Sequence, residues 1–309
     1  MHTEASRAEM FMPVCRHGFI EAEDGEKLFF REWSPPGMEV TSVIIFLHGI
    51  GLHSGSDPYG NRIPIKKLMD RGTTFYAFDL RGHGRSTGSM ESMEPDRLIK
   101  DLDLIIDDVR SKYDRAAIYL YGHNFGGILS LYYVSENPDK VKGLIISEYS
   151  TRIKKSISKI RRPHILSSTF KDIIRMISGT SRRYKFLSGD EYRQLCNRYH
   201  IPADKNIIGS LEDSGALNKD ITYGKSFFKA CGVGMEKQMA KKVNIPVLMI
   251  FSTHDPFFDV KGAYDILTSF KTYVKEISLV ESSGHYDIIE KGQDIVAKWL
   301  SKRLPINAA

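Results

Sequence analysis

The sequence predicts an α/β fold, in which a mostly parallel central sheet has helices on both faces and a helical cap inserted after one strand. Short apolar runs alternate with longer segments of helical periodicity, and such alternation produces parallel strands joined by helices. The alternation stops after Ser150 and resumes near residue 240. We therefore expect a core made of 1–150 and 240–309, and a basic helical cap, or lid, made of 151–239. A cap in that position would cover the carboxyl edge of the sheet, where ligands bind in open α/β sheets.

The first elements are strands. The stretch "GFIEAEDGEKLFFREWSP" is typical of two strands joined by the turn Glu23-Asp24-Gly25. The runs "SVIIFLHG" from Ser42 and "TTFYAFD" ending at Asp79 suit strands that are buried on both faces. The sheet is therefore predicted to begin with a hairpin and to continue with buried strands.

Helices and strands then alternate as far as Ser150. One segment has apolar residues at helical spacing, namely Leu98, Leu102, Ile105, Ile106 and Val109. The strand "AAIYLYGH" follows, then the helix "FGGILSLYYVSENP", which must stop before Pro138, and then the strand "VKGLIIS". Beyond the cap we expect the strand "IPVLMIFSTHDP", a helix from about Val260, the strand "YVKEISLVESSGH" and a last helix, "DIIEKGQDIVAKWLSKRL".

Composition favours a cytoplasmic protein. No stretch approaches the roughly 20 unbroken apolar residues that span a bilayer, and the first residues lack the apolar run of a signal peptide. The three cysteines, Cys15, Cys196 and Cys231, are far apart and have no metal-ligand spacing. Reduced thiols and no metal site are therefore predicted.

The net charge of +6 is concentrated in one segment. Between Arg152 and Lys185 there are eleven Lys or Arg residues and one acid, Asp172, so this segment carries +10 and the remainder −4. Either it is a solvated basic face, or it makes peripheral contact with an anionic membrane or an acidic partner. Each basic residue near such a membrane contributes about 1 kcal/mol. No nucleic-acid-binding motif accompanies the charge, so nucleic acid is not an expected partner.

Four motifs follow predicted strands in order. They are "HGIG" from His48, "GHNFGG" from Gly122, "STHDP" around Asp255 and "SSGHYD" around His285. With "LHGIGLHSG" and "FDLRGHGRSTGS", this set resembles the α/β-hydrolase superfamily, and within it the monoacylglycerol lipase, lysophospholipase and serine-aminopeptidase-like branch. The resemblance covers about 17–150 and 240–303, and the cap shows no match.

The resemblance implies carboxylic-ester hydrolysis of a small acyl substrate without a cofactor, through a nucleophile, acid and base in that chain order. Asp255 would fix the ring of His285, the general base. The competing acid, Asp259, is predicted to be a helix N-cap instead. The backbone N–H groups of Ile50 and Phe125 would form the oxyanion hole, each contributing about 3 kcal/mol in the transition state. His83 is predicted to be structural.

The nucleophile position holds Asn124, where the family pattern has serine. An amide cannot be deprotonated to a useful nucleophile, and loss of a triad nucleophile lowers turnover by about six orders of magnitude. Asn does tolerate the positive φ of such a turn. Ser130, Ser147 and Ser150 do not lie at the turn and are not expected to replace it.

Four explanations of Asn124 stay open. In the first, the ancestral protein has Ser at this position, and this chain is a natural or engineered inactive form or a pseudoenzyme. In the second, the ancestral protein has Asp, as in epoxide hydrolases and haloalkane dehalogenases, although the His53-Ser54-Gly55 extension belongs to the lipase-like branch. In the third, Asn is native, and His285 activates water or a substrate proton. Finally, the protein binds a ligand or partner without catalysis.

The cap is expected to decide the substrate. Its apolar residues between 165 and 177 either pack against the core or form an amphipathic helix that touches a membrane. With the basic excess, the second possibility favours a lipid-like substrate such as a monoacylglycerol, a lysophospholipid or an acyl thioester.

Overall fold

The computed structural model of the protein describes most of the predicted core. The described residues are 14–49, 51–55, 68–69, 71–89, 94–149, 184–185, 193–194, 197, 200, 222–223, 235–255 and 259–303. The predicted cap, 151–239, lies almost entirely outside them. Of its described residues, 184–185 and 222–223 form two short strands that pair antiparallel, Tyr184 with Tyr223 and Lys185 with Thr222. The sequence showed no strand in this segment, because two-residue strands leave no periodic pattern.

Within the described residues, eight strands form the main sheet. They are β1 (Val14–Glu21), β2 (Lys27–Ser34), β3 (Ser42–Leu47), β4 (Thr73–Phe78), β5 (Ala117–His123), β6 (Gly143–Ser147), β9 (Val247–Ser252) and β10 (Lys275–Val280), while β7 (Tyr184–Lys185) and β8 (Thr222–Tyr223) are the short pair. The order across the sheet is β1-β2-β4-β3-β5-β6-β9-β10. In this sheet the two pairs that involve β2, with β1 and with β4, are antiparallel, and the other pairs are parallel. The predicted fold class is confirmed.

The helices cover both faces of this sheet. Those with described bounds are α1 (Pro95–Lys112), α2 (Phe125–Glu136), α3 (Glu236–Ala240), α4 (Val260–Leu267), α5 (Ile288–Lys291) and α6 (Gln293–Ser301). Along β3, Val43 and Ile45 join the cluster that contains α1 and α2, whereas Ile44 joins the cluster that contains α6. Successive strand residues point to opposite faces, so each buried strand supplies both cores.

The predicted last helix is interrupted at Gly292. Helix α5 ends one residue earlier and α6 begins one residue later. The Gly292 N–H donates to the carbonyl oxygen of Ile288 at 2.7 Å, and a Cβ at Gly292 would lie 2.8 Å from that oxygen. Glycine therefore permits a tight junction that a larger residue would strain, and helical periodicity on both sides concealed the break.

In the part of the chain that the structure describes, we find no helix with the length and hydropathy needed to cross a membrane.

Candidate active site

Three parallel strands bring the predicted acid, base and nucleophile positions together. Asn124 directly follows β5, Asp255 follows β9, and His285 follows β10. The Nδ2 atom of Asn124 lies 3.1 Å from Nε2 of His285, and Nδ1 of His285 lies 2.7 Å from Oδ2 of Asp255. Residues from distant parts of the sequence therefore form one continuous hydrogen-bonded chain at the carboxyl edge of the sheet.

Asn124 sits at a sharp turn between β5 and α2. Its backbone has φ 52° and ψ −115°, a positive-φ conformation that non-glycine residues rarely adopt. A Cβ at Gly122 would overlap the carbonyl of Gly126, and one at Gly126 would overlap the carbonyl of Leu47. The glycines of "GHNFGG" therefore let the first turn of α2 pack directly against the strand ends.

The side chain of Asn124 bridges two parts of the site. Its amide nitrogen donates to Nε2 of His285, and its Oδ1 accepts from the backbone N–H of Phe125 at 2.7 Å. An amide nitrogen can only donate, so Nε2 carries no proton and Nδ1–H donates to Asp255. This is the tautomer that a general base requires. The same Phe125 N–H is the one predicted for the oxyanion hole.

The second predicted oxyanion donor, Ile50, lies outside the described residues. Its neighbour Gly49 is described, and a Cβ there would lie 3.1 Å from Cβ of Asn124. The ring of His48 anchors this loop, because Nδ1–H donates to the Gly49 carbonyl at 2.8 Å and Nε2 accepts from the Leu80 N–H at 2.9 Å. Burial lowers the pKa of His48 to about 3, so the ring is neutral and this pattern is retained.

His83 and His123 are also buried near the site. The His83 ring packs 5.1 Å from that of His48, and its Nδ1 is hydrogen-bonded to the Arg81 carbonyl at 3.1 Å. The His123 ring packs 5.1 Å from that of His285. Burial lowers the pKa of His123 well below its usual value, and the neighbouring His285 lowers it further. Both rings thus pack beside the site as neutral groups.

A buried acid that the sequence analysis did not single out, Glu148, lies beside the base. It follows β6 directly, has φ 48° and is 2% exposed. Its Oε1 accepts from the Ser252 N–H at 2.5 Å. Its position in "IISEYS", just after a buried strand, is the signal that could have identified it.

Glu148, Asp255 and His285 could in principle hold a metal ion, since one ligand-type atom from each lies within 4.8 Å of the others. In the structure, however, Oε1 of Glu148 accepts from the Ser252 N–H and Oδ2 of Asp255 accepts from the ring of His285. The donor set is therefore that of an acid–base cluster around His285.

The remaining candidates lie elsewhere. Asp259 is at the N-cap position of α4, as predicted, but its side chain makes no capping hydrogen bond with that helix. Asp255 is the acid that contacts His285. The Ser130 hydroxyl donates to the Gly126 carbonyl at 2.7 Å, Ser147 is hydrogen-bonded to His123, and Ser150 lies outside the described residues. Neither described serine takes the place of a nucleophile at Asn124.

Comparison with known proteins identifies the fold and the family of the chain. The family model described as "Serine aminopeptidase, S33" matches residues 38–203. Human monoglyceride lipase is 23% identical over 278 residues, covering 87% of this chain and 82% of the lipase. Among solved structures, a soluble variant of the Saccharomyces cerevisiae monoglyceride lipase has a TM-score of 0.71 at 17% identity, covering 94% of this chain and 96% of its own.

A second solved structure, the Butyrivibrio proteoclasticus protein Est1E with bound ferulic acid, has a TM-score of 0.66 at 16% identity and covers 92% of this chain and 98% of its own. At these identities the solved structures establish the fold, and the family model, which spans more than half of the chain, establishes the lineage. The chain belongs to the serine aminopeptidase S33 family of the α/β-hydrolase superfamily.

Proposed function

We propose that the protein descends from a carboxylic-ester hydrolase of the monoglyceride-lipase type, and that Asn124 makes this chain an inactive form or pseudoenzyme. One observation carries the proposal. The hydrogen-bonded chain from Asn124 through His285 to Asp255 has the arrangement expected of a catalytic triad, and the Phe125 N–H, the predicted oxyanion-hole donor, lies beside it. The group that is unsuitable as a nucleophile is the side-chain amide at position 124.

A hydroxyl at position 124 would complete the reaction cycle. Nε2 of His285 is unprotonated and could take the hydroxyl proton as the oxygen attacks an ester carbonyl. The Phe125 N–H would stabilise the resulting oxyanion, and the imidazolium, held by Asp255, would protonate the leaving alcohol. Water activated by His285 would then release the acid and regenerate the hydroxyl.

The substrate we propose is lipid-like: a monoacylglycerol, a lysophospholipid or an acyl thioester. Two features support this class. Monoglyceride lipases are among the relatives that align over most of the chain, and the segment 152–185 has a charge that suits contact with anionic lipid. The proposed setting is cytoplasmic, with peripheral membrane contact through this segment.

The proposal is tested by Asn124→Ser, with Asn124→Ala as the matched control that lacks the hydroxyl. We expect Asn124→Ser, and not the parent or Asn124→Ala, to hydrolyse a series of acyl esters and to react with a fluorophosphonate probe. Adding His285→Ala to Asn124→Ser should abolish the gain, because the base is lost. A folded Asn124→Ser protein that stays inert toward all acyl substrates and the probe would contradict the ester proposal.

Other outcomes point to the alternatives. Asn and Asp have nearly the same shape, so an Asp-nucleophile ancestor predicts that Asn124→Asp opens epoxides or releases halide while Asn124→Ser does not. Turnover by the parent that His285→Ala abolishes would indicate that His285 activates water or a substrate proton. Retention of a ligand without turnover in every variant would indicate a binding protein.

A further inference from the structure

The side-chain amide of Asn124 makes the contacts that a substrate amide would make with the predicted oxyanion-hole donor and the predicted general base. Its carbonyl oxygen, Oδ1, accepts from the Phe125 N–H at 2.7 Å, which is the donor predicted for the oxyanion hole. Its nitrogen, Nδ2, lies 3.1 Å from Nε2 of His285. In amide hydrolysis these are the positions of the polarised carbonyl and of the leaving nitrogen beside the general acid.

The surroundings favour chemistry at this amide over its simple immobilisation. His285 is fixed by Asp255 at 2.7 Å and has its unprotonated nitrogen on the side of Asn124. The buried Glu148 adds a second carboxyl group to the cluster, with one oxygen within 4.8 Å of an oxygen of Asp255 and a ring nitrogen of His285. His285 is only 4% exposed, so its contact with Asp255 is shielded from water.

We infer that the site hydrolyses its own Asn124, converting it to aspartate and releasing ammonia. The water oxygen attacks Cγ of Asn124 while Nε2 of His285 accepts one water proton, and the C=O electrons move to Oδ1, which the Phe125 N–H stabilises. The Cγ–Nδ2 bond then breaks as Nε2–H protonates Nδ2. The products are the carboxylic acid and ammonia, which become carboxylate and ammonium at neutral pH.

This inference goes beyond the proposed ester hydrolysis, since it concerns a modification of the chain and needs no added substrate. Its product is a carboxylate at the turn, next to His285. A carboxylate is a competent nucleophile where an amide is not, so self-deamidation would change the chemical class of the site without any change in the gene.

The test follows the mass of the tryptic peptide that contains Asn124 in the purified parent protein incubated at neutral pH. We expect time-dependent conversion to aspartate, with one labelled oxygen incorporated in ¹⁸O water and no isoaspartate. The exposed Asn244, which precedes the bulky Ile245, serves as the internal control and should convert more slowly. Urea-unfolded protein should lose the difference between the two sites, because the arrangement exists only in the folded state.

The decisive variants are His285→Ala and His285→Gln, whose folding is checked by thermal melting. Loss of general acid–base catalysis costs about 10²–10⁴-fold, so either variant should slow the conversion by at least about a hundredfold. Unchanged conversion in a folded His285 variant, a mixture of aspartate and isoaspartate, or no conversion faster than at Asn244 would each overturn the inference. These readouts do not depend on whether Asn124→Ser hydrolyses esters, so the two proposals fail separately.

Discussion

Three buried histidines near the candidate site have pKa values below that of free histidine. Burial lowers the pKa of His48 to about 3 and that of His83 to about 3, and it lowers the pKa of His123 well below 6.5. The folded protein therefore binds fewer protons than the unfolded chain between about pH 3 and pH 6.5. In this window stability decreases as the pH falls, and above 6.5 the histidines no longer affect it.

We accordingly expect the free energy of unfolding, measured with urea, to fall as the pH is lowered from 7 to 5. Each of these histidines should contribute on the order of 1 kcal/mol per pH unit below 6.5. Proton uptake on unfolding, measured by calorimetry in buffers of different ionisation enthalpy, should rise over the same range. Histidine NMR signals of these three rings that titrate near pH 6.5 in the folded protein would contradict the explanation.

At the residue scale, the sequence identified positions better than contacts. The order of Asn124, Asp255 and His285 after strands was readable, because motifs at strand ends converge at one edge of a parallel sheet. The hydrogen bonds from Asn124 to His285 and to the Phe125 N–H could not be predicted from the sequence, because they depend on one side-chain rotamer at a strained backbone. Glu148 was missed because a lone acid in "IISEYS" belongs to no motif.

At the element scale, the turn between β5 and α2 depends on glycines of unequal importance. A Cβ at Gly126 would overlap the backbone carbonyl of Leu47, which cannot move without distorting β3. A Cβ at Gly127 would lie 3.0 Å from Cγ2 of Ile146 and 3.2 Å from the Gly122 carbonyl oxygen, which is tight but not an overlap. Both residues occupy the first turn of α2, where alanine is otherwise the better helix former by about 1 kcal/mol.

Gly126→Ala should therefore destabilise the protein by at least about 3 kcal/mol, in the range of severe overpacking, whereas Gly127→Ala should stay within about 2 kcal/mol of the parent. Urea unfolding followed by circular dichroism measures both. Equal effects of the two substitutions would show that the backbone overlap at Gly126 is relieved by a small movement, and that close packing of the turn is not required.

Element boundaries were predicted where the sequence has a physical stop signal. Helix α2 ends at Glu136, two residues before Pro138, which cannot continue a helix. Helix α1 was recognised by its stripe of buried apolar residues. The interruption at Gly292 and the strands β7 and β8 were not predicted, since a single glycine or a two-residue strand hardly alters the hydrophobic period.

At the scale of the whole molecule, the excess of basic residues is concentrated in one segment of the sequence. The segment 152–185 carries +10, and the remainder carries −4. The proposed consequence is attraction to anionic lipid, which depends on the clustering of the charges and not on the net value of +6.

Binding to vesicles containing phosphatidylserine tests this attraction. We expect binding that weakens with added salt and that is absent with phosphatidylcholine alone. The triple variant Lys154→Glu, Lys155→Glu and Arg161→Glu should lose most of the binding, because each residue contributes about 1 kcal/mol. The control is the triple variant Lys142→Glu, Lys261→Glu and Lys271→Glu, which makes the same charge change at exposed positions outside the segment 152–185. Equal losses in both triple variants would show that only net charge matters.

The whole-molecule prediction succeeded for the core and stays open for the cap. The alternation of buried strands and helices specifies a parallel sheet through general packing rules, and the eight-stranded order shows that sheet. The division at 151–239 stays a prediction. A basic segment with scattered apolar residues has no strong period, so its sequence pattern does not specify how it folds.

The geometry around Asn124 also determines how few base changes in the gene would alter the chemistry of the site. Asparagine codons differ by a single base from one set of serine codons, and by a different single base from those of aspartate. The partners at Asp255, His285 and the Phe125 N–H are already in position, and they need no matching substitution. One point mutation in this gene would therefore supply a hydroxyl at the turn, another would supply a carboxylate, and neither would have to wait for a second change elsewhere.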